Sequence, residues 1–250
     1  MRVVLTVVAS VLLVLPFVAC SRQNSTPPQA SSHIAAGQPS SSSVSGPVGA
    51  IEARVTYAGR PVVEHISINK DVAVCGTTTP IEKVVVDGAG ELAEAVVAVV
   101  GLQGPARVAA PKLDQHGCQF RPHVLAIHTG DLEVLNSDGI LHNLHTYSTL
   151  NEQINKAQPK FKKEMTVSFD KPEVVKLTCD VHSWMQGWLV VEPSPYFGVT
   201  DAHGIARIDG VPAGPRTVEV WQQQLGRRSK DVTVPAGGTV HVDFEYPKAG

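Results

Sequence analysis

Short runs in which every second residue is apolar recur along this 250-residue chain, and turn residues close each of them. "EARVTY" places Ala53, Val55 and Tyr57 on one face, and "EMTVSF" does the same with Met165, Val167 and Phe169. "TVHVDFEY" aligns Val240, Val242, Phe244 and Tyr246. Successive side chains of a strand point to opposite faces, so a period of two describes half-buried strands. "YAGRP", "VDGAG", "NSDG", "DAHG" and "VPAGP" supply the turns between them. The best helical candidate, "LNEQINKA" at 150–157, is short and mostly polar. The pattern predicts an all-β fold built from sandwiches. Hydrophobic residues at 43% are enough for a core, and a net charge of −2 without a basic block gives nucleic acid no footprint.

The amino terminus adds a location. Met1-Arg2 precedes "VVLTVVASVLLVLPFVAC", a short positive start followed by an apolar core, as in a secretory signal over residues 1–19. Pro16 and the polar tract that follows speak against a retained span. The ending "FVAC" resembles a bacterial lipoprotein box, with Phe17 in place of the more usual leucine, and the resemblance makes Cys20 the lipid-modified residue. Lipidated, plainly secreted and membrane-retained readings all place the chain outside the cytoplasm, in the periplasm or cell envelope. Contact with the membrane is expected through the anchor only. Residues 20–47, rich in Ser, Pro, Gln and Ala, read as a disordered tether.

One stretch concentrates rare residues. Beyond the initiator the chain has two methionines, and beyond Cys20 three cysteines, yet "LTCDVHSWMQGW" holds Cys179, His182 and Met185 at C-x-x-H-x-x-M spacing. Thiolate, imidazole and thioether together suit copper, which cycles between softer and harder oxidation states. "EVVKLT" enters this turn and "GWLVVE" leaves it, both strand-like. A second imidazole is needed, and "LEVLNSDGILHNLHTYS" offers His142 and His145, which a strand turns to opposite faces. His123 and His128 also alternate and read as structural.

Both segments resemble the cupredoxins, the amicyanin type most closely. That family carries the same short loop followed by glycine and a valine-rich strand, with an upstream H-N-V-H segment that "His142-Asn143-Leu144-His145" matches with one conservative change. The resemblance spans roughly 119–193. It implies a Greek-key β-sandwich holding one type 1 copper through His142, Cys179, His182 and Met185. It also implies that Asn143 ties the two ligand loops together. His145 is expected to support the site without binding metal. Trp184, inside the ligand loop, could form an apolar docking rim. With Cys179 on the metal, the remaining two cysteines pair most simply as Cys75–Cys118; a buried thiol or a disulfide half is the other reading of Cys179.

The implied role is single-electron transfer between redox partners, a cytochrome or a dehydrogenase, with no catalysis because all four metal positions are filled. Copper binding and delivery, or a structural surface lipoprotein, are the alternatives. "GVTDAHGIARIDGVPAGPRTVEVW" and "KDVTVPAGGTVHVDFEY" resemble the carboxypeptidase regulatory-like family of small Ig/transthyretin-like β-sandwiches, implying such a unit over 194–248. Residues 48–118 read as a β region that either opens the copper domain or stands alone.

Overall fold

A computed structural model describes residues 46–104 and 110–248. The signal run, Cys20 and the tether up to residue 45 lie outside the described residues. The chain is nearly all β. The first strands are β1 (Val48–Tyr57), β2 (Val62–Ser67), β3 (Thr78–Val84), β4 (Val96–Val100), β5 (Lys112–Gln115) and β6 (Phe120–Arg121). Next come β7 (Val124–His128), β8 (Gly130–Asn136), β9 (His142–Tyr147), β10 (Asn155–Gln158), β11 (Glu164–Phe169) and β12 (Glu173–Thr178). The last are β13 (Gln186–Glu192), β14 (Phe197–Val199), β15 (Ile205–Pro212), β16 (Gly214–Gln222), β17 (Gly226–Val234) and β18 (Thr239–Tyr246). A single helical turn, α1 (Val72–Cys75), follows β2.

Two sandwiches result. In one, the sheet β10-β9-β12-β13-β7 faces β11-β8-β5-β6 across Phe120, Leu132, Leu144, Phe169, Leu177 and Leu189. In the other, β15-β1-β18 faces β14-β4-β16-β17 across Ile51, Val55, Val97, Val220, Phe244 and Tyr246. The alternation in "EARVTY" directs Ala53, Val55 and Tyr57 into this second core, and that in "TVHVDFEY" directs Val242, Phe244 and Tyr246 there.

Residues 48–118 contribute strands to both sandwiches. Strand β1 lies between β15, antiparallel, and β18, parallel, while β5 runs parallel to β8 in the other sandwich. The reason is visible in β4. Its run "VVAVV" is apolar on both faces, as strands covered on both sides are. Val97 and Val99 enter the second core, and Val96 and Ala98 pack with Val124, Ala126, Val190, Phe197 and Trp221. The sheets of the two sandwiches therefore abut through β4 and the pair β7–β13. Segment 150–157 forms no helix: Asn155–Gln158 is strand β10, since pairing along the edge of β9 outweighs a weak helical propensity.

The "DAHG" turn explains how β1 is held. The Asp201 carboxylate accepts from the backbone N–H groups of His203 and Ile205, and Val55 N–H donates to Gly204 O at 2.8 Å. Gly204 has φ +69°, and a Cβ there would come within 2.5 Å of Val55 O, so only glycine fits.

Glu192 ends β13. Burial pushes its carboxyl up to about 7, against the pull of Arg227 and with Glu219 adding to the rise. The folded chain then holds a proton that the unfolded chain releases above its ordinary value of 4.5. The stability tied to this proton is full at acid pH and is lost as pH rises through about 7. Glu192→Gln is expected to stabilise the protein by about 1–2 kcal/mol at a pH of about 8 and by nothing near pH 4, read from paired thermal melts.

Candidate metal centre

The register of two strand pairs brings the histidine and cysteine segments to one end of the first sandwich. Thr178 of β12 lies opposite His145 of β9, so the exit of β12 sits beside the start of β9 at His142. The Cys179–Met185 loop joins β12 to β13 there. It is folded tightly: Met185 N–H donates to His182 O at 2.9 Å and Cys179 N–H to Met185 O at 3.2 Å. Gly187 just beyond the loop is needed for close approach, because a Cβ would meet His123 O at 3.1 Å and Phe120 Cβ at 3.2 Å.

Three side chains converge. The Cys179 sulfur lies 3.9 Å from His142 Nδ1 and 3.8 Å from His182 Nδ1, and the two Nδ1 atoms are 3.0 Å apart. The circle through a triangle with these sides has a radius of about 2.1 Å, which matches metal–imidazole bonds of about 2.0–2.1 Å and metal–thiolate bonds of about 2.3 Å. Both histidines are 0% exposed, and Cys179 and Met185 are 1% exposed. Cys179 is a free thiol. Met185 closes the same loop, its backbone bonded to both Cys179 and His182.

The outer nitrogens define the protonation. His142 Nε2 donates to Asp138 Oδ2 at 2.9 Å, and His182 Nε2 donates to Asp71 Oδ2 at 2.9 Å. Each neutral ring therefore turns the lone pair of Nδ1 inward. Burial lowers the His142 pKa, with the neighbouring His182 contributing, while the Asp138 hydrogen bond opposes the shift. Two ring nitrogens and a sulfur meeting at a buried point fit a soft or borderline cation.

Asp138 and Asp71 were not singled out in the sequence. Asp138 is four residues before His142, inside the "NSDG" turn, and its carboxylate also accepts from Gly117 and Cys118 N–H. Asp71 is 111 residues from His182 and has no local sequence signal. Its left-handed backbone, φ 52°, begins a cap over the ligand loop. Lys70 Nζ adds a bond to Val181 O at 3.2 Å. The cap is stapled by the Cys75–Cys118 disulfide, whose Cα atoms are 5.2 Å apart. The disulfide sulfurs approach the centre itself, since Cys75 and Cys118 Sγ lie within 4.8 Å of a His182 ring nitrogen.

Asn143 clasps the two ligand loops. Its Oδ1 accepts from Asp180 N–H, and its Nδ2 donates to Asn155 Oδ1 at 2.7 Å and Asp180 Oδ2 at 3.2 Å. His145 faces away from the pocket, bonds Asp180 at 2.8 Å and stacks on Tyr147. Asp180 lies below the ordinary carboxylate range because His145, then Asn155, donate to it. Trp184 is half-buried. Its ring is 5.1 Å from that of His182, and its Nε1 has no partner among the described residues. Of the two histidines read as structural, His123 accepts from Gln223 Nε2, while His128 Nδ1 is buried without a partner among the described residues.

No family model and no curated protein matches the chain. Among solved structures it is similar to a copper-containing nitrite reductase from Thermus scotoductus, at 21% identity and TM-score 0.32, covering 37% of this chain and 24% of the reductase. A Cu(I) structure of an amicyanin variant is 18% identical with TM-score 0.31, covering 38% of this chain and 98% of amicyanin. A purple cupredoxin from Nitrosopumilus maritimus is 19% identical with TM-score 0.29, covering 33% of this chain and 99% of that protein.

The clasp can be weighed without metal. Asn143→Ala leaves Asp180 N–H and Asn155 Oδ1 without the bonds they make to Asn143 and is expected to cost about 1–3 kcal/mol in urea unfolding of the metal-free protein.

Proposed function

We propose that the chain binds one copper ion through His142, Cys179, His182 and Met185 and passes single electrons between redox proteins outside the cytoplasm, held to a membrane through Cys20. The observation that carries this reading is the convergence of the Cys179 sulfur and two inward-facing imidazole nitrogens at one metal-sized point. Copper bound there would supply one-electron exchange between its two common oxidation states. The residues do the rest. Asp138 and Asp71 fix the ring orientation and tautomer of the histidines, as carboxylates behind metal-bound imidazoles do. Asn143 and the strand pairing hold both ligand loops in place, which favours a centre whose geometry changes little on electron exchange. Met185 places a weak thioether at the end of the loop, a position suited to tuning a potential. Complete burial of the ligands leaves substrate no route in, which supports a carrier rather than an enzyme.

The C-terminal strands, with β1 and β4, fit a structural appendage of the carboxypeptidase regulatory-like kind. The partner in this reading is a cytochrome or a dehydrogenase.

The test is visible absorption and electron paramagnetic resonance of the protein loaded with Cu(II). A strong sulfur-to-copper band with narrow hyperfine splitting, both lost in Cys179→Ser, is expected. Weak colour with ordinary splitting would favour copper binding and delivery, and no stoichiometric uptake would leave a structural lipoprotein. Asp71→Asn is expected to lower copper affinity by about 10–100-fold in competition with a chelator, while the metal-free protein melts unchanged.

A further inference from the structure

We infer that the tip formed by Leu141 and the Pro159–Lys163 turn is the docking surface for a redox protein with an acidic face. This deepens the electron-transfer reading and rests on it. Phe161 is 81% exposed and Leu141 46%, large apolar side chains presented to water at the end of the sandwich that carries the metal site. They belong to one rigid feature. Gln158 of β10 lies opposite His142, so the turn that follows β10 emerges beside Leu141. Lys162 N–H donates to Pro159 O at 2.8 Å, and Asn136 N–H donates to Lys163 O at 2.8 Å. Asn136 Nδ2 then donates to Ile140 O at 2.8 Å and to Gln158 O at 2.9 Å, which joins the two loops.

The charge on this tip names the partner. Lys160, Lys162 and Lys163 surround Phe161 in sequence, and none forms an ion pair with a described residue. Glu164 is the acidic residue next to them in sequence, and Lys163 Nζ lies over Gly139, beside Asp138, in a chain whose net charge is −2. A basic rim around two apolar side chains steers an acidic surface to the spot and makes a brief, salt-sensitive contact. So small an apolar area does not hold a second copy of the chain.

At both rings the outer nitrogen is taken up by the chain itself, at His142 by Asp138. Asp71 occupies the outer nitrogen of His182, and Lys70 and the disulfide fasten the cap that carries it. Leu141 is bonded directly to His142, so the lysine-rimmed tip offers a short covalent route from an exposed apolar side chain to a ligand.

Two readouts test the surface. In the first, 15N-labelled protein, metal-free and then copper-loaded, is titrated with polyglutamate. Shifts are expected at 139–142 and 159–164, and are lost in Lys160→Glu/Lys162→Glu/Lys163→Glu. In the second, Cu(I)-loaded protein gives one electron to hexacyanoferrate(III), which becomes hexacyanoferrate(II), or to the cationic tris(phenanthroline)cobalt(III), which becomes cobalt(II). The triple variant is expected to slow the first about tenfold at low salt, to speed the second, and to lose both effects as salt rises. Arg228→Glu/Lys230→Glu, on the other sandwich, is the control and should do neither. Unchanged rates in a centre that does exchange electrons, or polyglutamate shifts elsewhere, would overturn the surface and leave the function standing. Lysine-dependent retention on phosphatidylglycerol vesicles without polyglutamate shifts would overturn it in favour of a membrane contact. A centre inert to both complexes overturns the electron-transfer reading, and this redox partner with it.

Discussion

Two imidazole lone pairs held 3.0 Å apart beside a buried thiol repel one another, and much of the surrounding structure is what keeps them there. Left alone, either ring could rotate its N–H inward and relieve the conflict. The carboxylates of Asp138 and Asp71 prevent this, because each accepts the N–H of one ring from outside. These carboxylates need fixing in turn. Asp138 is held by the N–H groups of Gly117 and Cys118, and Asp71 by a cap that the disulfide ties to the same Cys118. A cation bound there would turn the repulsion into attraction.

The sandwich alone does not provide this scaffold. Strands β7 and β13 carry the far side of the ligand loop, and their outer face would be bare apolar surface without Val96, Ala98 and Trp221 against it. The second sandwich thus covers the sheet from which the loop springs. Trp188 of β13 packs edge-on to Trp221 at 5.7 Å, and its indole N–H donates to Gln223, which also bonds His123. This contact makes the C-terminal strands part of what positions Met185 and Gly187, whatever else they do.

Period and spacing carried much of this into the sequence. Alternation put Met165, Val167, Phe169 and Phe244 inside, and the C-x-x-H-x-x-M spacing together with "HNLH" picked out three side chains that meet in space. Cysteine arithmetic left Cys179 free and the other two joined. Long-range partners were less visible. The destination of β1 depends on which edges β15 and β18 leave open, and nothing within "EARVTY" encodes that. The unbroken apolar run "AVVAVV" did carry a signal, burial on both faces, which points to a strand between two cores. Asp71 was hidden because a polar residue in a turn looks solvated until another part of the chain arrives. Trp184 left both a core and a rim reading open, and its ring is half-buried against that of His182.

The cap links the closure of the site to the redox state of two cysteines. Its anchoring disulfide closes a separation of 43 residues; Ile68 is buried in the same core, and Lys70 and Asp71 add one hydrogen bond each to the ligand loop. Such bonds are each worth about 1 kcal/mol or less against water, so a chain with reduced cysteines would let the Asp71 carboxylate exchange between His182 and solvent. Two thiols would then lie within reach of His182 alongside Cys179, offering a metal a second, softer set of donors. An oxidising compartment removes both faults at once, since it persists as disulfide what would otherwise compete as thiolate. The proposed extracytoplasmic location and the proposed ligand set thus make one demand, that Cys75 and Cys118 be kept paired.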